Sequence, residues 1–130
     1  HISSIYYNEP ALVYAKRLVE KTSFDRIFYA NSGAEANEGA IKLAVKYTGK
    51  SEVISTVESF HGRTIMTLAA TGHEHYHEPF KSILPKGFIN VPYNDLEAIK
   101  EAVTENTAAI IPLEKLLFIN SAAPQSGGGN

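Results

Sequence analysis

The residues able to do chemistry fall in a few short stretches. The first is Asn31-Ser32-Gly33-Ala34-Glu35, which follows the apolar run Ile27-Phe28-Tyr29-Ala30 and precedes a stretch of helical periodicity. A helix N-terminus presents unbonded N–H groups at the positive end of aligned peptide dipoles. Gly33 lacks the Cβ that would hold an anion away. A phosphate can therefore rest on the amides of Gly33 and Ala34, with the Ser32 hydroxyl beside it. Ser32 with Glu35 three residues later is equally a capping box, a common device that needs no ligand. Glu35 and Glu38 would also partly oppose a bound anion.

The second stretch is Phe60-His61-Gly62-Arg63. A Phe at a sheet rim can stack on a flat ring. The planar fork of Arg63 matches both oxygens of a carboxylate. Taken singly, Phe60 can be core and Arg63 a solvated charge. Taken together at one rim, the two stretches sketch a site for a phosphorylated aromatic ligand and a carboxylate.

Two further patterns carry competing chemistry. In His73-Glu74-His75-Tyr76-His77, histidines two apart would share one face of a strand and could ligate a metal. The surrounding stretch reads as a polar solvated loop, so no metal site is assigned. Ala44 followed by Gly49-Lys50-Ser51 nearly matches the phosphate loop of nucleotide hydrolases. That motif requires a strand before it and a helix after it. Here a helix precedes and a strand follows, which leaves nucleotide binding as a minor alternative.

The elements that must position these residues are legible from periodicity and punctuation. Pro10–Lys21 reads as a helix with Ala11, Ala15, Leu18 and Val19 on one face. Ile27–Ala30 reads as a first strand. The helix after Ser32 carries Ala36, Ala40, Leu43, Ala44 and Tyr47 on one face and stops at Gly49. Glu52–Val57 is a second strand anchored by Val53, Ile54 and Val57. Thr64–Ala70 is a short helix, and residues 73–87 form a polar connection with Pro79 and Pro85. Phe88–Val91 is a third strand. Asn94 and Glu97 cap a helix over Asp95–Val103, and Ala108–Ile111 is a fourth strand. Strands alternating with helices of this length predict an α/β fold, a mostly parallel sheet with crossover helices.

Composition bounds the rest. The 130 residues are 44% hydrophobic and 20% charged, and 12 basic against 14 acidic residues give a net charge of −2. This is the composition of one globular domain, able to bury roughly two-thirds of its unfolded surface. It excludes wholesale disorder, collagen and coiled coil. No basic field argues for nucleic acid or an anionic membrane. The absence of Cys excludes a disulfide framework and thiolate chemistry and suits a reducing cytosol. No apolar run is long enough to span a bilayer, and no secretory signal is seen. The expected location is cytoplasmic. Ser121–Asn130, with Gly127-Gly128-Gly129, reads as a flexible tail.

Several of these stretches resemble one family. Ile5-Tyr6-Tyr7-Asn8-Glu9-Pro10, Phe28 through Glu38, Ser59-Phe60-His61-Gly62-Arg63-Thr64, Ala69-Ala70-Thr71-Gly72 and Val91-Pro92-Tyr93-Asn94-Asp95-Leu96 occur in the order seen in class III pyridoxal-phosphate aminotransferases, in the acetylornithine/ornithine branch. The resemblance covers residues 1–111. It implies that residues 1–120 are part of the large, cofactor-binding domain of a fold-type I enzyme, with 121–130 as the tail. It implies pyridoxal 5'-phosphate as cofactor. Ser32, Gly33 and Ala34 match the loop that holds its phosphate, Phe60 the aromatic that stacks on its ring, and Arg63 the arginine that binds the substrate α-carboxylate. Tyr7 lies where relatives place a substrate-side tyrosine.

The implied reaction moves an amino group from N-acetylornithine, or a related ω-amine, to 2-oxoglutarate. The implied partners are a small amino acid and a 2-oxo acid, with no nucleic acid or membrane, in a homodimer formed through the large domain. The family's Schiff-base lysine and the aspartate that pairs with the pyridine nitrogen lie beyond the matched region, so no catalytic residue is assigned. After the fourth strand the family runs into Glu-Pro-x-Gln-Gly, whereas this chain reads Ile111-Pro112-Leu113-Glu114-Lys115. An inactive paralogue that only associates with a full-length aminotransferase is the alternative reading.

Overall fold

The computed structural model describes residues 5–112. The described residues divide into two compact units that part between Asn31 and Ser32. In the first unit, helix α1 spans Glu9–Lys21. The Asn8 side chain caps it, accepting the Ala11 N–H at 3.2 Å, and Pro10 occupies the first turn, where a missing N–H costs little. Ala11, Ala15 and Val19 form its half-buried stripe, while Leu18, expected on that stripe, is exposed.

The expected first strand does not form. Ile27–Ala30 has irregular backbone and pairs with no strand among the described residues. A run of strand formers gains its stability from a ladder and from cross-strand neighbours, and none reaches this segment there. It is tied locally instead. The Tyr29 hydroxyl donates to the Ala11 carbonyl at 2.6 Å, and its ring lies 6.5 Å from that of Tyr14.

The second unit holds a three-stranded sheet in the order β2-β1-β3, with both pairings parallel. Strand β1 (Glu52–Thr56) is central; β2 is Phe88–Val91 and β3 is Thr107–Ile111. Ile54 faces Ile89 on one side and Ile110 on the other. Because β1 is covered on both faces, Val53 through Thr56 are all buried, as expected of an interior parallel strand. The strand ends at Thr56, so Val57 is partly exposed rather than an anchor.

Helix α2 (Gly33–Thr48) packs on β3 and ends at Gly49, whose φ of 70° supplies the left-handed cap. Ile41 is its fully buried residue and joins Val53 and Ile111 in the core, with Met66 and Phe88 packed against them. The expected stripe is corrected here: Leu43 and Tyr47 are 60% and 68% exposed. The side turned inward carries Ala34, Asn37, Glu38, Ile41 and Ala44. A search for apolar residues alone passes over Asn37 and Glu38, which can face inward because each has hydrogen-bond partners there.

Helix α3 (Ile65–Ala70) follows β1 and packs against α2 and the sheet. The Ser55 hydroxyl donates to the Ala70 carbonyl at 2.5 Å and accepts from the Asn90 amide at 2.6 Å, pinning the end of α3 to β1 and β2. The connection over residues 73–87 is partly helical rather than wholly loop: α4 spans Glu74–His77 and a single 3-10 turn spans Glu78–Phe80. These turns lack an apolar stripe, which is why periodicity does not reveal them; Lys81 lies 3.5 Å from both Glu74 and Glu78. Helix α5 spans Leu96–Ala102. Its cap is Asp95, which accepts the Ala98 N–H at 2.9 Å, and not Asn94, which takes a φ of 58° in the preceding turn. No helix among the described residues is long and apolar enough to cross a membrane. The tail at 121–130 lies outside the described residues.

Gly72 seals the crossover between β1 and α3. A Cβ there would stand 2.1 Å from the Thr56 carbonyl oxygen and 2.7 Å from Val57 Cα. The backbones touch because Glu58 N–H donates to the Gly72 carbonyl and Gly72 N–H to the Ser59 carbonyl, at 2.9 and 2.8 Å. Both obstructing atoms are backbone, so relaxation must move β1 itself. Gly72→Ala is expected to cost about 3 kcal/mol of stability. Gly33→Ala, where a Cβ meets nothing within 4 Å, is expected to change stability by less than about 1 kcal/mol. Chemical denaturation of the two variants side by side checks the contrast.

Candidate functional site

Ser32 has extended backbone and caps α2, its Oγ accepting the Glu35 N–H at 3.2 Å. The first intrahelical bond runs from Ala36 N–H to the Ser32 carbonyl at 3.0 Å. The amides of Gly33 and Ala34 precede that bond and point out of the helix end. Space beside Gly33 is open, since a Cβ there would meet no atom within 4 Å. Ser32 caps Glu35, and the amides of Gly33 and Ala34 lie ahead of the first intrahelical bond.

The turn Phe60–Arg63 lies against this helix end. Gly62 has a φ of 137°, a conformation that disfavours any side chain. A Cβ on it would stand 2.8 Å from Ala34 Cβ and 2.6 Å from Thr67 Oγ1. The Asn37 side-chain amide donates to the His61 carbonyl at 2.8 Å, binding the turn to α2 a second time. The His61 N–H donates to Thr71 Oγ1 at 3.0 Å.

Phe60 is 56% exposed, so it is not core. Its ring meets Tyr76 edge-on, with centroids 6.2 Å apart. Arg63 is also exposed, and its guanidinium lies 4.7 Å above the Tyr76 ring. A cation over an aromatic face gains about 0.5–1 kcal/mol at an exposed site, enough to bias the arginine toward one orientation. Tyr76 thus joins the two side chains on one surface. Sequence reasoning missed it because it sits inside the histidine tract, where no spacing rule links it to Phe60 or Arg63. Tyr7 belongs to the first unit and is 91% exposed.

The competing patterns fare differently. His73 and His75 place their rings 5.6 Å apart, but His77 turns away and puts Nε2 2.9 Å from the Leu68 carbonyl. No cluster of three metal-ligating side chains occurs among the described residues. Ala44 lies inside α2, Gly49 caps its C-terminus and Ser51 leads into β1, the reverse of the strand–loop–helix order that a nucleotide phosphate loop needs.

Comparison with known proteins places the chain. The Aminotransferase class-III family profile matches residues 1–125. The chain belongs to this family. It is 57% identical over 111 residues to the acetylornithine aminotransferase of Methanothermobacter thermautotrophicus, an alignment covering 85% of this chain and 28% of that protein. It is 49% identical over 117 residues to the succinylornithine transaminase of Photorhabdus laumondii, covering 85% and 29%. Among solved structures, the ornithine aminotransferase of Toxoplasma gondii superposes with a TM-score of 0.74 at 27% identity, over 85% of this chain and 28% of that one. The chain thus spans under a third of the length of these relatives. The α/β class with a parallel sheet, expected from the sequence, is the fold it shares with them.

His61 is 6% exposed, and its Nε2 has no hydrogen-bond partner among the described residues. Burial penalises the charged ring and lowers its pKa below the ordinary 6.5. The unfolded chain therefore takes up a proton at this residue before the folded chain does. Stability supplied by the neutral ring is complete above the unfolded value and is lost as pH falls below it toward the folded value. The denaturant midpoint of the protein is expected to fall as pH drops from about 7 to about 5. In His61→Leu that fall is expected to be shallower, as read from paired denaturation curves across the range.

Proposed function

We propose that the complete protein containing this segment is a pyridoxal-phosphate-dependent aminotransferase. In this reading it moves the terminal amino group of N-acetylornithine, or a closely related ω-amine, to 2-oxoglutarate. The observation that carries the proposal is the junction of two turns: the open amides at the start of α2 lie against the turn bearing Phe60 and Arg63. Family membership and relatives named acetylornithine aminotransferase at 57% and 54% identity support the donor class. A succinylornithine transaminase at 49% keeps the neighbouring acyl-ornithine within it.

The residues present fit the cofactor. Its phosphate would be held by the amides of Gly33 and Ala34 and by Ser32 Oγ, at the positive end of a 16-residue helix. Phe60, exposed on the adjoining turn, offers its ring face to a pyridine. When bound, the cofactor supplies the electron sink that lets a proton leave carbon next to the amine. The chain's own contribution is binding and orientation. Arg63 pairs with a substrate carboxylate through two parallel N–H bonds, and Tyr76 holds the guanidinium plane until the carboxylate arrives. A 2-oxo acid acceptor with two carboxylates uses the same grip. Tyr7 is assigned to the substrate side. In the assembled protein these residues belong to the large domain, which we place within a homodimer in the cytoplasm.

Two variants of the complete protein test the assignment. Gly33→Asp puts a carboxylate where the phosphate would rest. An acid in the first helical turn is itself favourable to the helix, so folding is spared. Pyridoxal phosphate affinity is expected to fall at least about tenfold, roughly 1.4 kcal/mol, by absorbance titration. Unchanged affinity refutes the phosphate site. Arg63→Ala is expected to leave the cofactor absorbance intact while raising KM for both the amino donor and 2-oxoglutarate by about 10- to 100-fold, the loss of a charge-assisted bond. Comparing kcat/KM for N-acetylornithine, N-succinylornithine, ornithine and 4-aminobutyrate identifies the donor.

A further inference from the structure

Helix α3 has a defect at its start that another helix repairs. Its N-cap residue, Thr64, makes no side-chain capping bond of its own. Instead Glu38, two turns into α2, reaches across 28 positions of sequence. Its Oε1 accepts the Met66 N–H at 3.1 Å and the Thr64 hydroxyl at 2.7 Å. Thr64 Oγ1 also lies 2.7 Å from Thr67 Oγ1, the atom on which Gly62 closes. Arg63 is the residue immediately before this cap.

We infer that Glu38 is a positioning residue for Arg63: by capping α3 from α2, it fixes the carboxylate-gripping turn to the helix that holds the cofactor phosphate. This inference rests on the reading of Arg63 and the α2 N-terminus given above. Six residues make a marginal helix, and an unsatisfied first turn frays. The Glu38 carboxylate bonds a backbone amide and a hydroxyl at once, and charge-assisted bonds of this kind are the stronger class. It also places a negative charge at the positive end of α3 and away from the amides of Gly33 and Ala34. The acid that looks adverse to anion binding in the sequence is thereby committed elsewhere. Asn37, its neighbour on α2, holds the other side of the same turn through the His61 carbonyl. The substrate grip and the phosphate cradle accordingly move as one body.

The test uses the complete protein with Glu38→Ala, Glu38→Gln, Arg63→Ala and the double variant Glu38→Ala/Arg63→Ala. Glu38→Gln keeps an accepting oxygen at the cap. In Glu38→Ala, the Met66 amide is expected to lose protection from hydrogen exchange, and KM for both carboxylate substrates to rise about tenfold, the size of a lost charge-assisted hydrogen bond. Glu38→Gln is expected to restore both readouts to within about threefold, a fraction of one such bond. In the Arg63→Ala background, adding Glu38→Ala is expected to change KM no further, because one residue acts through the other. Additive effects on KM, or Met66 exchange indifferent to Glu38→Ala, overturn the positioning role while leaving the proposed function standing. Arg63→Ala with unchanged KM overturns the carboxylate grip, and the positioning role with it.

Discussion

The approach of Gly62 to Ala34 is the contact on which the rest of the site depends. The start of α2 and the segment leaving β1 meet where neither residue carries more than a methyl group. A Cβ at Gly62 would collide with Ala34 Cβ and Thr67 Oγ1 together, and the φ of 137° excludes ordinary residues independently. The start of α2 and the turn bearing Arg63 are thereby held together, which is what the proposed pairing of a phosphate cradle with a carboxylate grip requires. Any larger residue at 62 would lift the turn and separate the two.

Around that contact a set of polar bonds accompanies the apolar packing. α3 is joined to α2 through Glu38, to the preceding turn through Thr67 and Thr71, and to the sheet through Ser55 and Asn90. Ser55, Ser59, Thr67 and Thr71 are essentially buried, yet each hydroxyl has a partner. Apolar packing tolerates small slippage because it has no direction. Hydrogen bonds set a distance and an angle, so the bonded hydroxyls specify one arrangement, while Thr56 Oγ1 and His61 Nε2 are left without a partner among the described residues. The proposed positioning of Arg63 relative to the α2 start draws on that directionality.

The sequence made legible what depends on local backbone chemistry. Gly49, Pro10, Ser32 and the alternation of strand and helix mark boundaries that the structure reproduces within a residue or two. What it concealed depends on distant partners. Ile27–Ala30 has the composition of a strand, but composition cannot supply a ladder. Hydrophobicity alone assigns Leu43 and Tyr47 to the core, whereas the inward face of α2 includes half-buried Asn37 and Glu38, whose placement is intelligible only with His61, Thr64 and Met66 beside them. The local capping rule likewise favoured Asn94 over Asp95, and the geometry of the preceding turn reversed the order. At the site, the helix end and the Phe60–Arg63 turn were visible as motifs. Tyr76 was not, since its role arises from the fold of a connection that carries no periodic signal.

The parallel sheet explains why such a site can be assembled from separated segments. All three strands run the same way, so the segments leaving Thr56, Val91 and Ile111 depart from one edge. Ligands in open α/β sheets gather at that edge because successive crossovers deliver loops to it while the helices they enter aim their positive ends back toward it. β1 is the central strand, and the turn it feeds carries Phe60 and Arg63. β1 is flanked by β2 on one side and β3 on the other. A central strand buried on both faces is also the part of the sheet least free to shift. The turn bearing Phe60 and Arg63 thus follows directly from the central strand, and polar bonds from Asn37 and Glu38 of α2 fasten the residues on either side of Arg63.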